Sequence, residues 1–298
     1  MSEGTLESLH PLHFVEQEAY RMARLHNLHG SFYLNLPHIS RSPELSRAYQ
    51  IGDPVRLIDW KAYARNDQLI VREERDEAMA KVVIVLDGRD SMHWPDISVE
   101  KEIGQNLMKK FSLAVRMALH LVYRHVRAGD KVRLVLLEEN FQEDDVLSID
   151  LRTPAHVLSL FQELEEKNFS KDVLKSFLSP NILFFPRTNV CFWISDGCSG
   201  TLPSTYFEKL QHSVFFHVLS SLECELSWIH ERICYYDEYI LKKEFLGNLL
   251  KKNFQSRLTE WMKKVQKDIE LSGAIYLRFT EKTSLKSYVI SLDSLSQI

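Results

Sequence analysis

The sequence predicts an α/β protein: a mostly parallel, Rossmann-like sheet with helices on both faces and one antiparallel edge strand. Three observations predict it. The runs Val82–Leu86 and Val190–Ser195 are continuously apolar, as strands are when both faces of a sheet are covered. Between such runs lie stretches with apolar residues at helical spacing, so strands and helices alternate along the chain. Both runs also end in an acidic residue, Asp87 and Asp196, at the strand ends where open α/β sheets bind ligands.

In chain order, residues 10–29 read as a helix with Leu12, Val15, Ala19, Met22 and Ala23 on one face. The pairs His10/His13 and His26/His29 have metal-ligand spacing, but Pro11 interrupts the first and no carboxylate or cysteine completes either. Residues 31–46 read as loop. After the strand at 82–86, a helix is expected at about 100–127, with Ile103, Leu107, Phe111, Val115, Ala118 and Val122 as its apolar stripe. Gly129 ends it. A strand at 131–137 and an alternating one at 146–151 form an antiparallel edge hairpin. Thr153 is placed as N-cap of a helix at about 154–166, and 171–178 is a second helical stretch. The strand at 190–195 follows, then a short helix near 204–211 and a strand at 214–219. A hairpin excursion spans about 222–250, with strands at 232–236 and 239–245. A helix at 252–271, a strand at 274–279 and a helix from about Ser284 close the order. Right-handed crossovers then set the strands ending at Asp87 and Asp196 side by side.

Composition narrows the function. The chain has 298 residues, enough for one large domain or two small ones. Its net charge of −4 argues against a nucleic-acid footprint. No apolar run is long enough to span a bilayer, so membrane insertion is not expected. The N-terminal MSEGTLESLHPLH has neither the basic nor the apolar region of a signal peptide, and a cytoplasmic location follows as an expectation. The four cysteines form no CxxC pair and are expected to be reduced, Cys191 as a small core residue. The chain has no GxxxxGK[ST], GxSxG or HExxH motif.

Residues 47–65, RAYQIGDPVRLIDWKAYAR, interleave charges with large apolar groups. A segment that apolar must pack, and its charges must then be paired, because an unpaired buried ion costs several kcal/mol. The string Arg47, Tyr49, Gly52, Asp53, Arg56, Ile58, Asp59, Trp60, followed by Ala64, Arg65, Leu69 and Val71, resembles the hallmark of the prokaryotic, largely bacterial, domain of unknown function 58 family. The resemblance implies a von Willebrand factor A-like core at 81–298 and an N-terminal part, 1–80, that packs helix and hallmark on it. It also implies an adaptor rather than an enzyme, working with a MoxR-type AAA+ ATPase on a client protein. The hallmark's Arg and Asp residues either fix this packing or contact the partner.

In von Willebrand factor A-like domains the sheet rim holds a divalent cation, Mg²⁺ or Mn²⁺, on an Asp-x-Ser-x-Ser loop, a threonine and a further aspartate. Here Asp87, Ser91 and Asp196 match, and Thr153 is the candidate threonine. The middle serine is replaced by Arg89, which cannot ligate a cation. Either Arg89 takes the metal's place between Asp87 and Asp196, or it points outward while Asp90 supplies an oxygen. Trp94, beside Pro95, is expected as an exposed contact residue. Two alternatives accompany the adaptor reading: a metal-dependent adhesion-type binder, and a haloacid dehalogenase-like phosphatase with Asp87 as nucleophile. In the latter the second acid, Asp90, stands one position late for its role.

Overall fold

The computed structural model describes residues 4–12, 46–48, 63–64, 69–72, 80–95, 108–139, 146–184, 188–198, 203–210, 212–225, 233–237, 240–244 and 247–295. Strands β1 (Ser46–Ala48) and β2 (Ile70–Arg72) pair antiparallel as a small ribbon. The main sheet is built from β3 (Lys81–Asp87), β4 (Lys131–Leu137), β5 (Val146–Leu151), β6 (Ser179–Asn181), β7 (Val190–Ser195), β8 (His212–Val218) and, late in the chain, Ile275–Phe279. Between β8 and that last strand, β9 (Ile233–Asp237) and β10 (Ile240–Glu244) form the antiparallel hairpin expected there. The last strand is therefore β11.

The seven strands of the main sheet lie in the order β11-β8-β7-β3-β4-β5-β6. β11, β8, β7, β3 and β4 are mutually parallel, and β5 pairs antiparallel with β4. The predicted α/β architecture is thus present, with β3 and β7 adjacent as expected. One strand went unread: β6, the three residues Ser179, Pro180 and Asn181, lies outside β5. A proline is tolerated there because an edge strand can spare a donor.

β3 is central because Val82–Leu86 is a continuous apolar, largely β-branched run; every residue from Val82 to Asp87 is buried. Its side chains alternate between two cores, as the period of two requires. Val82, Ile84 and Leu86 enter one, and Val83 and Val85 the other. The first core is covered by α1 (Lys110–Ala128), α2 (Pro154–Glu166) and α3 (Lys171–Ser176). Two short helices follow, α4 (Ser204–Phe207) and α5 (Ser221–Glu225). The second core takes Val265 and Ile269 from α6 (Gly247–Leu271). The terminal helix α7 (Leu285–Leu295) buries Tyr288 and Leu292 in the first core.

α1 is shorter than its apolar stripe suggested. Residues 101–107, with Ile103 and Leu107, lie outside the described residues, but at 108–109 the chain is not helical. Lys109 is extended, and the Lys110 N–H donates to the Trp94 carbonyl at 3.0 Å. The helix ends as predicted: Gly129 sits at φ 90°, the left-handed conformation that favours glycine at this position. Residues 4–12 hold a 3-10 turn at Leu6–Ser8 rather than the start of a helix at 10. Leu6 and Leu9 are fully buried, and Leu6 N–H donates to the Thr283 carbonyl before α7. Arg116 Nη1 donates to the Leu9 carbonyl, and the guanidinium carbon Cζ lies 4.4 Å from the Phe169 ring centroid. The expected helix beyond residue 12 lies outside the described residues. Among the described residues, no helix is long and apolar enough to cross a membrane.

Candidate functional site

The crossover after β3 leads to β4, and the one after β7 leads to β8 on the opposite side. The C-terminal ends of β3 and β7 therefore border the crevice at which the strand order reverses. Leu86 stands beside Ile194, so the next residues, Asp87 and Ser195, open onto the same rim.

Four elements deliver side chains there. β3 ends in Asp87, fully buried. Gly88 follows in a space that admits no side chain: a Cβ would lie 2.6 Å from Leu136 Cδ1 and 3.1 Å from the Leu137 carbonyl oxygen. Its N–H instead donates to that carbonyl at 3.0 Å, prolonging the ladder. The chain then turns back, with Arg89 capping a 3-10 turn at Asp90–His93. Arg89 grips Asp87 with both arms, Nε donating to Oδ1 at 2.9 Å and Nη2 to Oδ2 at 2.8 Å. Arg89 N–H adds a third donor to Oδ1 at 3.0 Å, and the Ser195 hydroxyl donates to Oδ2 at 2.7 Å.

The second carboxylate, Asp196, is also fully buried. Its Oδ1 accepts from the Ser91 hydroxyl at 3.1 Å and the Cys198 N–H at 2.9 Å. Its Oδ2 accepts from Lys110 Nζ at 2.8 Å. Lys110 opens α1, and its side chain is only 2% exposed. The same ammonium donates to Glu223 Oε1 at 2.8 Å, and Glu223 Oε2 accepts the Ser220 N–H at 3.0 Å. One lysine thus ties the start of α1 to the β7 loop and to α5.

Electrostatics follow from this pairing. Burial opposes the Lys110 charge, but Asp196 and Glu223 outweigh it and hold the ammonium above the usual lysine range. Burial likewise opposes the Asp196 charge, yet Lys110, with the Cys198 N–H and the Ser91 hydroxyl, holds this carboxyl below its usual value. Behind the site, His217 is fully buried, and Nε2 donates to the Asp196 backbone carbonyl at 2.8 Å. A carbonyl can only accept, so Nε2 carries the proton and Nδ1 accepts from the Tyr276 hydroxyl. Burial lowers the His217 pKa to about 4, which keeps the ring neutral at pH 7.

Asp87, Arg89, Ser91 and Asp196 therefore meet at one place. Arg89 pairs with Asp87, whereas the cation seated on Asp196 is Lys110. Asp90 is exposed at the rim's edge, its N–H donating to Glu139 Oε1 at 3.0 Å. Two expectations need correction. Thr153 does not reach the rim: β5 runs antiparallel, so Leu151 stands beside Val132 at the start of β4. That is the opposite end of a seven-residue strand, roughly 20 Å away at ~3.3 Å per residue. Thr153 caps α2 instead, accepting the His156 N–H at 3.4 Å. Trp94 is half-buried rather than exposed, its carbonyl engaged by Lys110. Of the hallmark, Arg47 lies in β1 in register with Val71 of β2. Tyr49, Gly52, Asp53, Arg56, Ile58, Asp59, Trp60 and Arg65 lie outside the described residues.

The donor set fits a divalent cation poorly. Asp87 accepts from the Arg89 N–H, Nε and Nη2 and the Ser195 hydroxyl, Asp196 accepts from Ser91, Cys198 and Lys110, and each carboxylate is matched by its own cation, the part-exposed Arg89 or the buried Lys110. A hard cation takes oxygen lone pairs, most of which these donors already occupy, and a dication would enter beside two fixed positive charges. Among the described residues, no group of three or more His, Cys, Asp or Glu converges as a metal site.

Residues 45–149 match the family described as "Protein of unknown function DUF58". The match supports the family to which the motif points, and it spans β1 through most of β5, including Asp87, Arg89, Ser91 and Lys110. Comparison with curated proteins and with solved structures gives no match.

Proposed function

We propose that this chain is a non-enzymatic adaptor of the bacterial cytoplasm. In this reading residues 81–298 are a von Willebrand factor A-like domain whose sheet rim docks a MoxR-type AAA+ ATPase or its client. The ATPase partnership rests on the family resemblance, which the match over residues 45–149 supports. The observation that carries the docking reading is the rim at the strand-order reversal, where Lys110 joins α1, the β7 loop and α5 through ion pairs and the Ser195 hydroxyl ties β7 to Asp87 of β3, making one preformed surface. Such a surface suits recognition, because a prearranged site loses little freedom on binding.

The same pairing speaks against a phosphatase. A carboxylate nucleophile must present a bare oxygen to phosphorus, and both oxygens of Asp87 are taken by Arg89 and Ser195. The test is to mix the protein with a MoxR-type ATPase of the same genome and follow co-elution by size-exclusion chromatography, with and without ATP. A complex that weakens in an Asp90→Arg/Glu139→Arg variant is expected. No complex with any such ATPase of that genome would overturn the partnership.

A further inference from the structure

We infer that Lys110 and Arg89 are the rim's built-in cations: together they do the electrostatic work a divalent ion does in related rims, and they make this rim independent of metal. The inference stands apart from the choice of partner.

Its basis is the geometry of charge. The two buried carboxylates end adjacent strands and would repel one another if left alone. Arg89 neutralises Asp87 through a two-pronged contact at 2.9 and 2.8 Å. Lys110 neutralises Asp196 at 2.8 Å and reaches Glu223 at the same distance. A lysine at a helix N-terminus opposes the helix dipole, and its ammonium is buried. Both costs are offset only because two carboxylates converge on it. A divalent ion in such a rim would bridge loops; here Lys110 does the bridging, joining α1, the β7 loop and α5. Ser91, which the ligand pattern would place on the metal, instead donates its hydroxyl to Asp196.

The inference also says what each cation hides. Removing Lys110 uncovers Asp196 Oδ2 and Glu223 Oε1, with the Ser91 oxygen nearby, which are hard oxygens of the kind Mg²⁺ takes. Removing Arg89 uncovers Asp87.

The test is calorimetric titration of Mg²⁺ into chelator-stripped protein, wild type beside Lys110→Ala and Arg89→Ser, with circular dichroism to confirm folding. Wild type is expected to give no binding heat and no change in melting temperature between chelator and excess Mg²⁺. Lys110→Ala is expected to gain Mg²⁺ binding that disappears when Asp196→Ala is added. Because loss of the buried lysine can prevent folding, Arg89→Ser, at a position 15% exposed, is the second variant, and it too is expected to melt higher with Mg²⁺. Wild-type binding abolished by Asp87→Ala would overturn the inference. So would folded variants of both kinds that stay indifferent to Mg²⁺.

Discussion

Replacing Lys110 with methionine keeps the aliphatic stem and deletes the charge, leaving Asp196 buried without its ammonium. Breaking a buried pair by removing one partner costs about 3–5 kcal/mol, mostly for stranding the other charge. Here the low end applies. Asp196 keeps two donors on Oδ1, from Ser91 and Cys198, and Glu223, 21% exposed, can turn to water. About 3 kcal/mol is a large share of the ~5–15 kcal/mol that holds a domain folded. With an unfolding entropy near 2.1 cal/mol/K per residue, it lowers the melting temperature of this chain by about 5 °C. Urea unfolding followed by circular dichroism reads the loss directly. Adding Asp196→Leu to Lys110→Met is expected to recover stability, since an apolar pair of similar volume removes the stranded charge. A loss below about 1 kcal/mol for Lys110→Met alone, the range of exposed ion pairs, would refute the buried triad.

Other consequences can be checked in the same way. His217 titrates near 4 in the folded protein against an ordinary 6.5, so the unfolded chain takes the proton first as pH falls. Its contribution is complete above pH 6.5 and is lost between 6.5 and 4, by about 3 kcal/mol at 1.36 kcal/mol per unit. Stability measured across that window should fall more steeply in wild type than in His217→Gln, and equal slopes would remove the assignment. Gly88→Ala drives a Cβ into Leu136 and the Leu137 carbonyl and should cost about 1–3 kcal/mol, as overpacking does. An unchanged urea midpoint would show that the β3–β4 contact is looser than described.

Much of the sheet was legible because β3 and β7 carry uniform apolar runs, and such runs have few alternatives to a doubly covered strand. Asp87 and Asp196 were legible as strand-end residues, Ser91 because it fits the resembled family's ligand pattern, and Arg89 because it breaks that pattern. Lys110 was not. With the helix expected from about residue 100, it fell mid-helix, where a lysine reads as solvated. Only the actual start of α1, set by the extended Lys109 and the Trp94 carbonyl, aims it at Asp196. Glu223 was hidden for a similar reason, since residues from about 222 to 250 read as a hairpin excursion while 221–225 form a short helix. Thr153 was misplaced because loop order in the sequence does not say at which end of an antiparallel strand a loop emerges. β6 is three residues with a proline, too short for a period of two to register.

The most direct test of the adaptor account is a binding titration of the MoxR-type ATPase against fluorescently labelled protein in excess chelator, wild type beside Asp90→Arg/Glu139→Arg. The account predicts saturable wild-type binding that chelator leaves unchanged and the rim variant loses. Binding that vanishes in chelator, or that the rim variant retains in full, would contradict it.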